Sequence, residues 1–276
     1  NLDLLRVALG GLKNRRYPGI DPDLSIFPQK ELAFALRHEL VLRGPEPIDD
    51  EVTDAINLLL YRHSAHMGRT TAENLMRISD MMPASDYGSA RNVAMWRGDV
   101  RELAADAVVN AAMPNLLGCK DPLHPCIDNY IQGQGGPWIR NDCSVIREIQ
   151  GKDQEVGDAV LTRGYRLPAR YVLHTLGPHL NGGEITDEDR EKLAACYTSC
   201  LDLALEKGDI HNVSFCALST GRNNFPFEEA THIALDTVNQ WLQYHGTDVI
   251  ELVVFNIFED ADAEGYMQAL ESWVED

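Results

Sequence analysis

The run Asp106-Ala107-Val108-Val109-Asn110-Ala111-Ala112, followed after five residues by Gly118-Cys119-Lys120-Asp121-Pro122-Leu123-His124-Pro125-Cys126, decides how the rest of the chain is read. Its first part is a short, Val-containing apolar stretch bounded by polar residues, the pattern of a strand buried on both faces of a parallel sheet. Its second part sets two cysteines and one histidine within eight positions. Thiolates and imidazole are the ligands that Zn2+ takes in a tetrahedral shell, and three protein ligands without an obvious fourth match an open, catalytic site. Pro122 and Pro125 stiffen the loop and partly pre-position Cys119, His124 and Cys126. Two alternatives stand beside this reading. Cys143, seventeen positions on, would close the shell and make the metal structural. A metal-free loop would pack its reduced thiols as small hydrophobes. A zinc deaminase is excluded: it needs His-x-Glu and Pro-Cys-x-x-Cys, and here no Glu stands two after His124, while Asn129 stands three after Cys126.

Working outward, short apolar runs alternate with helical patterns. The runs are Val93 to Arg97, Ala107 to Asn110, Ala159 to Arg163, Tyr171 to Leu176, Val213 to Leu218 and Val249 to Phe258. Helices are predicted near Ile127 to Gln134, Arg140 to Gln150, Asp187 to Lys207 and Phe227 to Tyr244. Such alternation predicts an α/β fold with a mostly parallel sheet covered by helices on both faces, and ligands bind such a sheet at the carboxyl ends of its strands. The loops at Gly98-Asp99-Val100, after Asn110 and after Leu218 take that position.

Upstream the pattern is helical: Asp3 to Lys13, Pro28 to Arg43 and Asp50 to His66, with Val52, Ile56, Leu59 and Leu60 at helical spacing and Asp49 or Asp50 as N-cap. His63 and His66 lie on or beside that apolar face and read as structural. The Pro, Gly and Ser of residues 81–90 mark a boundary, giving a helical segment over 1–88 and a second unit over 89–276. The apolar content of 44% is what a packed core requires, and no apolar run reaches the length needed to cross a bilayer. Six cysteines in 276 residues, with Cys196, Cys200 and Cys216 in apolar settings, do not read as a disulfide framework. An intracellular, cytoplasmic or otherwise reducing compartment is expected. The formal charge is −19, and residues 1–90 hold ten Lys and Arg against thirteen Asp and Glu, so most of the excess lies beyond them. A nucleic-acid backbone would be repelled by such a surface. A small anion is not, because backbone N–H groups at a helix start hold a diphosphate without Lys or Arg.

At this point Trp96-Arg97-Gly98-Asp99-Val100, Asp106 to Ala112, and Ser219-Thr220-Gly221 with Phe225-Pro226 resemble the macrodomain family. The segment Gly118 to Asn129 narrows the likeness to the zinc-dependent macrodomains, which act as protein ADP-ribosyl hydrolases. Tyr171 to Pro178 and Val254 to Phe258 support it, and the likeness runs from about residue 92 to the end. It implies a three-layer α/β/α fold with a mixed, mostly parallel sheet behind a small helical N-terminal segment. It also implies a cleft for ADP-ribose. By that resemblance Asp99 accepts from the adenine amino group beside the Val100 backbone, and Asn256 and Phe258 flank the adenine or its ribose. Ser219, Thr220, Gly221, Arg222 and Asn223 wrap the diphosphate, Phe225 packs on the distal ribose, and Asn110 hydrogen-bonds it. Asp128, just after the metal loop, acts as general base or orients a ligand.

The sequence departs from the family pattern where Met113 replaces the Asn of Asn-Ala-Ala-Asn; Asn115 is the nearest substitute. The glycine-rich Gln132 to Pro137 also differs. The resemblance implies a zinc-dependent hydrolase removing mono-ADP-ribose from Asp or Glu esters of proteins. A reader module that binds without turnover and a deacylase of O-acyl ADP-ribose are the alternatives. The implied partners are ADP-ribose and mono-ADP-ribosylated protein, with no nucleic acid and no membrane, on a monomeric chain.

Overall fold

A computed structural model describes residues 1–16, 24, 27–180, 182 and 184–274. Three N-terminal helices, α1 (Leu2–Arg16), α2 (Gln29–Leu42) and α3 (Asp50–His66), are followed by β1 (Thr70–Thr71) and the single turn α4 (Ile78–Met81). The remainder runs β2 (Val93–Arg97), β3 (Leu103–Ala104), β4 (Ala107–Ala111), α5 (Ile127–Gly135), α6 (Pro137–Gln150), β5 (Ala159–Arg163), β6 (Tyr171–Thr175), α7 (Asp187–Lys207), β7 (Asn212–Phe215), α8 (Phe227–His245), β8 (Leu252–Ile257) and α9 (Asp260–Glu271).

The main sheet has six strands in the order β2-β8-β7-β4-β6-β5. All neighbours are parallel except β5, which pairs antiparallel with β6. The sheet is therefore mixed and mostly parallel, as the alternation predicts. Alternate residues of each strand feed opposite layers. Val93, Val109, Leu173 and Val253 meet α7, α8 and α9 in one core, and Ala94, Val108, Val172 and Val254 meet α5 and α6 in the other. Cys196 and Cys200 are fully buried in the first core. Strand ends fall short of the apolar runs at Leu176 and Leu218, where the chain leaves the ladder to build the site loops.

Local signals fix the long helices. A capping box between Thr186 and Asp189 opens α7, and Gly208 in the left-handed conformation (φ 76°) closes it. Gly136 (φ 93°) breaks α5 from α6, and Pro137 starts α6 three residues before the predicted Arg140, a position where its missing N–H costs nothing. The periodicity did not single out α9.

The N-terminal helices share a core of their own, Leu5, Leu9, Leu32, Leu36, Ile56 and Leu60, against which Trp138 of α6 packs. Polar ties join them to the site. The buried Arg140 guanidinium donates to the Leu40 and Arg43 carbonyls at 2.6 and 3.1 Å, and Lys120 Nζ donates to the Arg43 carbonyl at 2.7 Å. These donors satisfy the orphan carbonyls at the end of α2 and bind it to the 118–126 loop. Among the described residues, no helix is long and apolar enough to cross a membrane.

Candidate active site

The carboxyl end of β4 carries the site. Cys119, His124 and Cys126 each turn one ligand atom inward, all within 4.8 Å of one another, and Cys119 Sγ stands 3.7 Å from His124 Nδ1. A tetrahedral zinc shell places such a sulfur and nitrogen about 3.6 Å apart, so the donor set and its spacing both fit zinc. Burial pushes the Cys126 thiol up to about 12, with the Cys119 sulfur adding to it. A cation has to displace that proton to bind, which makes metal affinity pH-dependent. The loop is built for this convergence. Leu123 N donates to Asp121 Oδ1, while Asn129 Nδ2 donates to the Asp121 and His124 carbonyls at 2.8 and 2.9 Å. Cys143 is not a fourth member: it lies fully buried under β6, its sulfur 3.8 Å from His174 Nε2. Among the described residues the group holds three ligands.

Asp128, 2% exposed, sits behind the loop. Its Oδ1 accepts from Asn110 Nδ2 at 2.8 Å and Gln132 Nε2 at 2.9 Å, and its Oδ2 accepts from Cys119 N at 2.6 Å. Asn110 is fully buried, and its amide also donates to His174 Nδ1 at 3.1 Å. The carboxylate accepts only, so Asn110 must present its nitrogen, and His174 Nδ1 is then the acceptor. His174 Nε2–H therefore donates to Thr162 Oγ1 at 2.8 Å. Burial pulls the His174 imidazole down to about 4, keeping it neutral. A continuous buried chain, Thr162–His174–Asn110–Asp128–Cys119 N, thus runs from β5 through β6 and β4 to the metal loop. The sequence reading found its Asn110 and Asp128 but not His174, Thr162 or Gln132; only the i, i+4 spacing of Asp128 and Gln132 was a signal for one of them. Asn115, the nearest substitute for the missing Asn, accepts from Leu117 N at 3.0 Å through its side-chain oxygen, and Met113 is 41% exposed.

The other sequence-predicted residues line the same sheet edge. Asp99 caps a single 3-10 turn at Val100–Glu102 and accepts from Arg101 N at 2.9 Å and its guanidinium at 2.5 Å. Burial opposes ionisation there, but the hydrogen bonds from Arg101 outweigh it and hold the Asp99 carboxyl below its usual range. Val100 is buried, and Asn256 Nδ2 donates to the Gly98 carbonyl at 2.9 Å, joining the β8 end to this turn. Phe258 is 60% exposed just beyond β8.

After β7, Ser219 (φ 63°) and Asn224 (φ 57°) take the left-handed conformation and fold residues 219–225 into a tight loop. Phe225 N closes it on the Ser219 carbonyl at 3.0 Å, and Asn223 Nδ2 donates to the Gly177 carbonyl at 3.2 Å. The backbone N–H groups of Thr220, Gly221 and Arg222 donate to no protein acceptor among the described residues. Phe225 is only 2% exposed and belongs to the core beneath the loop.

Known proteins resemble this chain in sequence and fold. A Macro domain family model matches residues 109–234. A protein-ADP-ribose hydrolase of Staphylococcus aureus is 43% identical over 252 residues, covering 91% of this chain and 90% of that protein. One from Treponema medium is 40% identical over 189 residues, covering 68% and 70%. The crystal structure of a Trypanosoma brucei macrodomain in complex with ADP superposes with a TM-score of 0.63 at 29% identity, covering 84% of this chain and 93% of that one.

Proposed function

The chain belongs to the macrodomain family, and on that footing we propose that it hydrolyses mono-ADP-ribose from Asp or Glu esters of proteins, with zinc held by Cys119, His124 and Cys126. Its relatives are named protein-ADP-ribose hydrolases, and a structural neighbour binds ADP. The observation that carries the zinc assignment is the convergence of two sulfurs and one imidazole within 4.8 Å at the carboxyl end of β4. Zinc held by these three residues would supply a Lewis acid for an ester or hydroxyl oxygen beside it.

The chain's own residues hold the substrate. The free N–H groups of Thr220, Gly221 and Arg222 receive the diphosphate, and Gly221 carries no Cβ to keep it away. Phe258 offers an exposed ring for the adenine, and Asp99 an ionised acceptor for its amino group. Asn110 and Asp128 act as positioning residues: both are buried, and their donors and acceptors are turned on the loop that carries Cys119. Phe225 supports the diphosphate loop from below.

The test is time-resolved release of free ADP-ribose from an Asp/Glu-mono-ADP-ribosylated protein, with chelator-stripped and zinc-restored samples run in parallel. Release that disappears on stripping and returns with zinc is expected. Tight ADP-ribose binding with no release in either sample would make the chain a reader, and preference for O-acyl ADP-ribose in competition would make it a deacylase of that metabolite.

A further inference from the structure

A cavity of ≈ 440 Å³ opens between the N-terminal helices and the metal loop, walled by α2, α3, α5 and residues 122–125. The chain has 43 Asp and Glu residues, yet among the described residues none lines this cavity, whereas Arg37, Arg62, Arg101, His63, His66 and His124 do. Their charges are not equivalent. Arg101 is neutralised by Asp99 at 2.5 Å, whereas Arg62 donates to the uncharged Asn1 Oδ1 at 2.5 Å and keeps its charge near the start of α1. Arg37 is exposed and, among the described residues, has no carboxylate at ion-pair distance. Its guanidinium instead donates to His63 Nε2 at 3.2 Å. Arginine only donates, so Nε2 accepts and His63 Nδ1–H donates to Gln134 Oε1 at 2.8 Å. Gln134 is in turn fixed by bonds from its Nε2 to the Leu60 and Arg166 carbonyls, each 3.3 Å. The buried Gln134 amide and the His63 ring thus fix the Arg37 guanidinium in the cavity wall, without a carboxylate partner among the described residues. Around it the wall is apolar, with Phe34 60% and Leu123 74% exposed.

His124 belongs both to this wall and to the metal group. We propose that the cavity seats the acidic stretch of the modified protein that flanks the ADP-ribosylated residue, with Arg37 as its anchor. The inference rests on the hydrolase reading above. Hydrolysis adds one water across the ester: the ribose regains its hydroxyl, the side chain leaves as a carboxylate, and one proton goes to solvent. With the nucleotide along the strand ends from Phe258 to the 219–225 loop, the protein side of that bond departs past His124, into a wall that is cationic and apolar in an otherwise acidic molecule. Guanidinium is suited to it, since its fork binds carboxylate bidentately.

The experiment uses the full zinc-loaded chain and two fluorescent peptides, each mono-ADP-ribosylated at one Glu, with either acidic or alanine flanks. The acidic peptide is expected to have the lower KM. Arg37→Glu should raise its KM at least tenfold, leaving kcat, the alanine-flanked peptide and free ADP-ribose binding unchanged, and Arg37→Lys should restore most of the loss. Arg91→Glu, which makes the same charge change on an exposed residue before the amino end of β2, controls for bulk charge. Equal KM values for the two peptides in the natural chain, or an equal loss in Arg91→Glu, would overturn the proposal. If neither peptide is turned over, the hydrolase reading fails separately. Anisotropy of the same peptides then decides: tighter binding of the acidic one, lost in Arg37→Glu, upholds the cavity, and equal binding overturns it.

Discussion

Replacing Asp128 by Asn is the sharpest test of how the metal loop is held. Asp128 accepts three hydrogen bonds in a nearly water-free setting: two on Oδ1, from Asn110 and Gln132, and one on Oδ2, from Cys119 N at 2.6 Å. An Asn side chain of the same shape satisfies one side only. If its oxygen keeps Asn110 and Gln132, its NH2 faces the Cys119 N–H, donor against donor. If it flips, two side-chain amides lose their acceptor. Either way at least one charge-assisted bond, worth about 1.5–3 kcal/mol, is lost and a buried donor is stranded at about 1–3 kcal/mol. A net cost of about 2–4 kcal/mol allows for relaxation. Because Cys119 is itself a ligand in the proposed site, that cost appears in metal binding. A loss of about 30- to 1,000-fold in zinc affinity is expected, read by competition against a chromogenic chelator, with turnover recovering as zinc is raised. The refuting result is specific. If Asp128→Asn binds zinc as the natural chain does and only kcat falls, Asp128 is a general base and not a positioning group.

Other predictions follow from the same structure. Gly221→Glu places a carboxylate beside the free N–H groups of the 219–225 loop, and ADP-ribose affinity measured calorimetrically should fall at least tenfold; unchanged affinity would show that the diphosphate lies elsewhere. Gly164→Ala sets a Cβ 2.0 Å from the Ala169 carbonyl oxygen, a backbone clash that should cost about 1–3 kcal/mol in urea unfolding, and a variant as stable as the natural chain refutes it. His174 titrates at 6.5 when unfolded and about 4 when folded, because it is buried. The unfolded chain therefore takes up a proton that the folded one refuses. His174 thus leaves stability unaffected above pH 6.5 and lowers it by about 3 kcal/mol as pH falls to about 4. The difference in unfolding free energy between the natural chain and His174→Gln should change with pH over that window, and a pH-independent difference would contradict a buried neutral imidazole.

Much of this protein is legible in local pattern. Periods of two and 3.6 residues, caps such as Thr186 and Gly208, and breakers such as Gly136 fix the elements because each signal acts within a turn or two of the chain. α5, α7, α8, β4 and β6 accordingly lie within about a residue of their predicted bounds, while β7 ends three residues before the predicted Leu218 and β8 starts three after the predicted Val249. The three proposed metal ligands are legible for the same reason: Cys119, His124 and Cys126 sit on one short proline-stiffened loop, so proximity in sequence is proximity in space. Tertiary structure decides what comes from distant segments. That Asn110 meets Asp128 and His174 depends on β4 pairing with β6 in register, Asn110 opposite His174, and no pattern within either segment encodes that pairing. The exclusion of Cys143 from the metal group is likewise a matter of which layer α6 faces. The basic cavity is the clearest case. Arg37, His63, Arg101 and His124 lie far apart in the sequence, no pattern within a segment relates them, and only the docking of α2 and α3 on α5 brings them together in a wall that holds no carboxylate among the described residues.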